Sequence, residues 1–185
     1  PEEIVAGLAD RFELLRSAEP SHRHSALSTT LLWSWDLLDA DEQDVLCRLA
    51  AFASGVDTQE LGAALELDQW RAVDIVQRLR SKSLVSVERG SSRPSRVHLL
   101  ESVRMLAIEQ ASERAIWSSC RHAHLRWVDD FTARVVGPLG DHEEDDDPMA
   151  RLDGEGSEIR SAIQWAEGEP GRALAICART VNWWR

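Results

Sequence analysis

The apolar period of this chain leaves helical spacing at one place, and that change limits what it can fold into. From Leu27 to Leu79 apolar residues recur at helical spacing. Leu27, Leu31, Trp35 and Leu38 keep one face, and Val45, Leu46, Leu49, Phe52 and Ala53 keep the next. After the break at Ser54-Gly55, a short helix is expected from Thr58 through Leu65, then a longer one through Ala72, Ile75, Val76 and Leu79. Asp39 or Asp41 can cap the second of these helices and Asp68 the last, because a short carboxylate accepts from the free amides of a first turn. The period then drops to two in LVSVE (84–88) and RVHLL (96–100), joined by the turn-rich RGSSRPS. Four helices followed by one hairpin is the order of a winged helix, with residues 68–81 at the position of the recognition helix.

The flanks read as helical. Ile4, Leu8, Phe12 and Leu15 predict a helix over residues 1–16, followed by the polar loop SAEPSHRHS. Val103, Leu106, Ala107 and Gln110 begin a helix after the hairpin, and 116–136 makes a long one carrying Trp117, Cys120, Leu125, Trp127, Val128 and Phe131. The acidic run DHEEDDD (141–147) has no apolar residue and lies between Pro138 and Pro148, which predicts a solvated loop. It lacks the spaced ligands and the glycine of a calcium-binding EF-hand. Residues 149–167 and 171–185 are expected to form an antiparallel pair about the GEPG turn, with Leu152, Ile159, Ile163 and Trp165 facing Leu174, Ile176 and Trp183 or Trp184. Such a pair is the unit of a helical repeat. The fold class expected is mainly α: a winged helix followed by a helical, tetratricopeptide-like repeat region.

Chemistry is sparse. A phosphate-binding loop needs glycines followed by Lys-Ser or Lys-Thr, whereas Lys82, the one lysine, follows a serine. There is no G-x-S-x-G, H-E-x-x-H or C-x-x-C, so no catalytic residue is expected and the segment is not read as an enzyme. Cys120 and His124 lie one helical turn apart and could share a zinc ion, but a structural zinc site wants about four ligands, so no metal site is expected. His22 and His24 fall in a loop. Arg71, Arg78, Arg80 and Lys82 on the recognition helix, with Arg89, Arg93 and Arg96 in the wing, form a local basic patch suited to DNA or to a neighbouring domain. The chain as a whole carries −11, which excludes a basic nucleic-acid arm.

Trp33 and Trp35 lie two apart on a helix and point to different faces, one to the core and the other to a neighbouring domain. Trp183 and Trp184 lie in an unfinished apolar pattern and predict an exposed patch capable of self-association. Three distant cysteines, Cys47, Cys120 and Cys177, fit no disulfide framework and suit a reducing compartment, so the cytoplasm is expected. No apolar run approaches the roughly 20 residues of a membrane span. The opening PEEIVAGL and the closing VNWWR read as cuts from something longer.

The stretches LADRFELL, RHSALSTTLLWSWDLLDADEQDVLCRLAAF, RLRSKSLVSVE, RVHLLESVRMLA, RHAHL and EIRSAIQWA follow one another in an order that resembles bacterial STAND ATPases, the signal-transduction ATPases with numerous domains. The version resembled is that of large transcriptional and kinase-linked regulators. The resemblance implies a P-loop ATPase and a small helical domain upstream, then a winged helix, then a superhelix of tetratricopeptide-like repeats. By that mapping residues 1–25 end the helical domain, 26–112 are the winged helix, and 113–185 begin the superhelix. ATP and ADP are implied for the parent protein and no cofactor for this segment. The family's Met-His-Asp motif, whose histidine contacts ADP, falls on Leu99, Leu100 and Glu101. Leu100 thus replaces the histidine, Glu101 keeps the acid, and His98 stands two residues away as a substitute. The function implied is a switch module that couples the nucleotide state of the upstream ATPase to a signal, protein or small molecule, bound at the repeats. The alternatives are a DNA-binding winged-helix transcription factor and an interaction scaffold without an ATPase.

Overall fold

The computed structural model describes residues 31–89, 94–137 and 147–184. The helix expected over 1–16, His22, His24, Arg93 and nearly all of the acidic run lie outside these residues. The chain divides at Leu38 into two units. In the first, residues 31–36 are helical, with Trp35 only 5% exposed and Trp33 65% exposed.

The second unit, Asp39–Arg185, contains the winged helix and the helices after it, and the expected boundary at 112/113 falls within it. Helix α1 is Ala40–Leu49. Asp39 is its cap: its carboxylate accepts from the Glu42 amide at 2.9 Å, while the Glu42 carboxylate accepts from the Asp39 amide at 2.9 Å. This reciprocal capping box satisfies two amides that the first turn would leave open. The chain then turns at Gly55, whose φ is +78°, and a Cβ there would lie 2.4 Å from the Val97 carbonyl oxygen and 2.6 Å from the His98 ring. Only glycine fits.

Directly after that turn, Val56–Asp57 forms strand β1. The expected start of a helix at Thr58 is therefore corrected. Helix α2 is Leu61–Leu65, has no side-chain cap, and ends on Glu66 in the left-handed region at φ 54°. Helix α3, Gln69–Ser81, is capped by Asp68, which accepts from the amides of Trp70 and Arg71. Strands β2, Val85–Glu88, and β3, Arg96–Leu99, form the expected hairpin, with Val85 opposite Leu99 and Val87 opposite Val97. Val56 pairs with Val97 on the other edge, so the antiparallel order is β1-β3-β2 and β3 is central. Helices α4, Glu101–Glu113, and α5, Trp117–Val136, follow. Val45 and Leu46 of α1, Leu65 of α2, Ile75 and Leu79 of α3 and Leu125 of α5 are all buried. Trp127 of α5 stacks on Phe131 at 5.3 Å and meets the edge of Phe52 at 5.3 Å.

The segment expected as one helix over 149–167 is two, α6 at Pro148–Gly154 and α7 at Gly156–Trp165, broken at Glu155. The Glu155 side chain reaches across to β3, and a Cβ at Gly156 would lie 2.9 Å from the Trp183 ring, so the chain bends where two glycines flank an anchored acid. Asp147, the last residue of the acidic run, caps α6. Helix α8, Pro170–Thr180, packs on α5: Arg172 and Arg179 both bind the Asp129 carboxylate. Ile176 faces inward as expected, but Leu174 is 71% exposed, a correction to the expected pairing. The Trp183 indole donates to Asp153 at 2.6 Å and the Trp184 indole to Thr180 at 2.9 Å. Among the described residues no helix is long and apolar enough to cross a membrane.

Burial pushes the Cys47 thiol up to about 12, and it raises Cys120 as well. The thiolate is the reactive form. A thiol reagent applied to the native protein is therefore expected to label half-buried Cys177 alone, with the other two reacting only on unfolding. Mass spectrometry of the labelled peptides checks this.

Candidate functional site

Three of the four basic residues on the recognition helix and its C-terminal cap hold carboxylates. Arg71 Nη2 lies 2.8 Å from Asp41, Arg78 Nη1 lies 2.5 Å from Asp39, and Lys82 Nζ lies 2.6 Å from Glu42. All three acids belong to the cap and first turn of α1, where they also favour the positive end of that helix. Asp39 is held below its usual value by the Glu42 amide and then by Arg78. Glu42 is buried, so its pair with Lys82 is the best shielded. Arg78 also approaches Asp74 at 3.5 Å. Arg80 is exposed and has no ion pair among the described residues.

Arg96, counted from the sequence among the wing cations, turns inward. Its guanidinium binds both oxygens of Glu155, at 2.5 and 2.9 Å, and donates to the carbonyls of Ser54 and Gly55. Beside it lies Glu158, fully buried on α7. Its carboxylate accepts from the Ser54 amide at 2.6 Å, the Ser54 hydroxyl at 2.6 Å, the Ala53 amide at 3.3 Å and His124 Nε2 at 2.8 Å. Burial pushes this carboxyl up, but the His124 and Ser54 donors outweigh it and hold the group below its usual value. Glu155 has the opposite balance: burial wins over Arg96 and its carboxyl is raised.

His124 is itself fully buried, with Phe52 at 4.8 Å, Trp165 at 5.3 Å and Trp127 at 6.4 Å between ring centres. Its Nε2 is committed to Glu158. Among the described residues no three such side chains could hold a metal. Arg96, His124 and Glu158 thus join the wing, α5 and α7 through the 53–55 turn. A buried carboxylate with this many donors is well satisfied.

The residues at the nucleotide-sensor position sit where β3 passes into α4. Leu100 is the extended residue preceding the helix and is exposed, and Glu101, also exposed, lies 3.8 Å from Arg104. His98 is half-buried against Gly55, its Nε2 3.7 Å from Glu88. His98 does not approach the outward Leu100–Glu101 corner through any hydrogen bond among the described residues. The residues that sequence reasoning missed are Ser54, Glu155 and Glu158. One signal existed: Glu155 and Glu158 share helical spacing with Leu152, Ile159 and Ala162, which puts two acids on an apolar face.

The fold and this junction define a winged helix built into a longer helical body. Over its whole length the chain is 32% identical, across 193 residues, to a Mycobacterium tuberculosis protein named "Putative HTH-type transcriptional regulator Rv0890c", of which it spans 21%. The Mycobacterium bovis protein named "Putative HTH-type transcriptional regulator Mb0914c" matches to the same extent. A further M. tuberculosis protein, "Uncharacterized protein Rv0894", is 38% identical over 119 residues, covering 61% of this chain and 30% of its own length. The chain spans about a fifth of the length of the first two relatives. No family model matches, and no solved structure matches. The chain is therefore similar to regulators of the helix-turn-helix type, and a winged helix is a fold of that type.

Proposed function

We propose that this chain is a regulatory segment of a helix-turn-helix transcriptional regulator, in which the winged helix and the helices after it act as one body and the recognition helix is closed to DNA. The observation that carries this reading is the pairing of Arg71, Arg78 and Lys82 with Asp41, Asp39 and Glu42. Nonspecific DNA affinity comes from cations that neutralise phosphates, and here three of the four on α3 and its C-terminal cap already hold carboxylates. The buried Glu158 contacts supply the coupling, since a load on the helical region reaches the 53–55 turn through them.

The resemblance to STAND ATPases extends the proposal to the parent protein. An upstream ATPase domain would bear on the outward corner at Leu100 and Glu101, with exposed Trp33 as a second contact, and a protein or small-molecule signal at the helical region would favour one packing by its differential affinity. The exposed Leu174, Val181 and Trp184 of the C-terminal segment are a surface for self-association. The relatives' names favour a second reading, direct DNA binding through α3.

Fluorescence anisotropy with a mixed-sequence DNA duplex at about 50 and 200 mM salt separates the two. The closed module is expected to bind weakly with little salt dependence. Tight binding that falls steeply with salt, and is lost in Arg71→Ala/Arg78→Ala, would establish the second reading instead.

A further inference from the structure

We infer that the α3 face is a binding surface for the phosphate backbone of duplex DNA, and that Asp39 and Asp41 keep it shut by standing in for two phosphates. The inference rests on the closed state proposed above and names what closes it. Arg71, Arg78 and Lys82 are spaced by seven and four residues, two turns and one turn, so they line one face of α3. In a winged helix this element enters the major groove, with its flanking cations on the backbone. Each cation here makes a charge-assisted N–H···O contact to a carboxylate at 2.5 to 2.8 Å, the same chemistry a phosphate oxygen would offer.

The pairs differ in how easily they exchange. Arg71 and Asp41 keep 57% and 54% of their side chains exposed, and Arg78 and Asp39 keep 39% and 52%, so phosphates can displace these carboxylates from solvent. Glu42 is buried and tied into the capping box, which keeps Lys82 engaged. Arg80, exposed and without an ion pair among the described residues, is two residues from Arg78 and so lies on another side of α3, outside this face. The short contacts of the gate are therefore those of the two aspartates, with Asp74 and Glu42 farther from Arg78 at 3.5 and 3.7 Å, and an acidic surface that competes for phosphate-binding cations sets a threshold for DNA rather than abolishing the site.

The test is Asp39→Asn/Asp41→Asn in the whole chain, because asparagine still accepts at a helix cap and the charge alone is removed. Circular dichroism and a thermal melt check the fold, and Asp41→Ser, which leaves the cap untouched, serves if the double variant is unstable. Anisotropy with the same duplex should show at least tenfold tighter binding than wild type at low salt. The slope of log affinity against log salt should steepen by about 2, close to 0.9 for each of two released cations. Adding Arg71→Ala/Arg78→Ala should return both readouts to the wild-type values. No gain, or an equal gain in the remote charge control Glu109→Gln/Glu113→Gln on α4, overturns the inference. Tight, steeply salt-dependent binding by the wild type instead removes the closed state itself, a distinct result read before any variant is made.

Discussion

Replacing Glu158 by alanine is expected to cost about 3–5 kcal/mol of unfolding free energy, the range for breaking a buried ionic contact from one side. The loss leaves the Ser54 amide and hydroxyl without their acceptor, and the His124 N–H without one where both His124 and Glu158 are fully buried. Glu158→Gln keeps the shape and one acceptor oxygen and should cost less, about 1–3 kcal/mol. Urea unfolding followed by tryptophan fluorescence measures both, since Trp127 and Trp165 flank His124. A loss below about 1 kcal/mol for the alanine variant would mean that the junction contributes little to stability. The same group has a pH signature. Its carboxyl is depressed in the folded state, so the unfolded chain binds more protons between the folded value and the ordinary glutamate value of 4.5. Its contribution is complete above that value and is lost as pH falls through the folded one. Wild type should therefore lose stability more steeply than Glu158→Gln below pH 4.5. Glu155, raised by burial and in part by the Glu158 charge, acts with the opposite sign above that value, and its rise is smaller in Glu158→Gln.

The second large effect separates two tryptophans two residues apart. Trp35→Ala, at a site 5% exposed, should cost about 3–5 kcal/mol by transfer and cavity terms together. Trp33→Ala, at a site 65% exposed, should stay within about 0.5 kcal/mol, as surface substitutions do. Thermal melts of the two variants decide it, and equal losses would sink the assignment of the residues to different faces. Trp33 would then be part of the core and not a contact for a neighbouring domain.

Where an apolar pattern runs long enough, residue type and spacing are a good guide to this fold. The capped apolar faces of α1 and α3, the long helix α5 and the period-two hairpin are all legible in that way. Strand β1 is not, because two residues carry no period and their strand character comes only from pairing with Val97 and Arg96 some forty positions later. The break between α6 and α7 is hidden for a related reason: apolar residues continue through it, and the bend is imposed by Arg96, 59 residues away. The candidate site divides in the same way. The cations of α3 are readable as residue types, whereas their neutralisation depends on acids 30 to 40 residues upstream. His124 reads only as half of an incomplete zinc pair with Cys120 until Glu158 is placed beside it. The stretches RVHLL, RHAHL and EIRSAIQWA supply Arg96, His124 and Glu158, which lie far apart in sequence and gather around the 53–55 turn.

The central place of β3 also sets an order of events during synthesis. Neither β1 nor β2 has a partner until residues 96–99 have left the ribosome, while α1, α2 and α3 can already assemble from contacts close in sequence. Ser54 then waits for Glu158, 104 residues further on, and closing a loop of that length comes late. The amides of the 53–54 turn stay hydrated through that interval. A nascent chain paused before α7 emerges would therefore hold a formed helix-turn-helix whose wing is paired but whose turn has no carboxylate, and protease sensitivity at 53–55 would mark that stage.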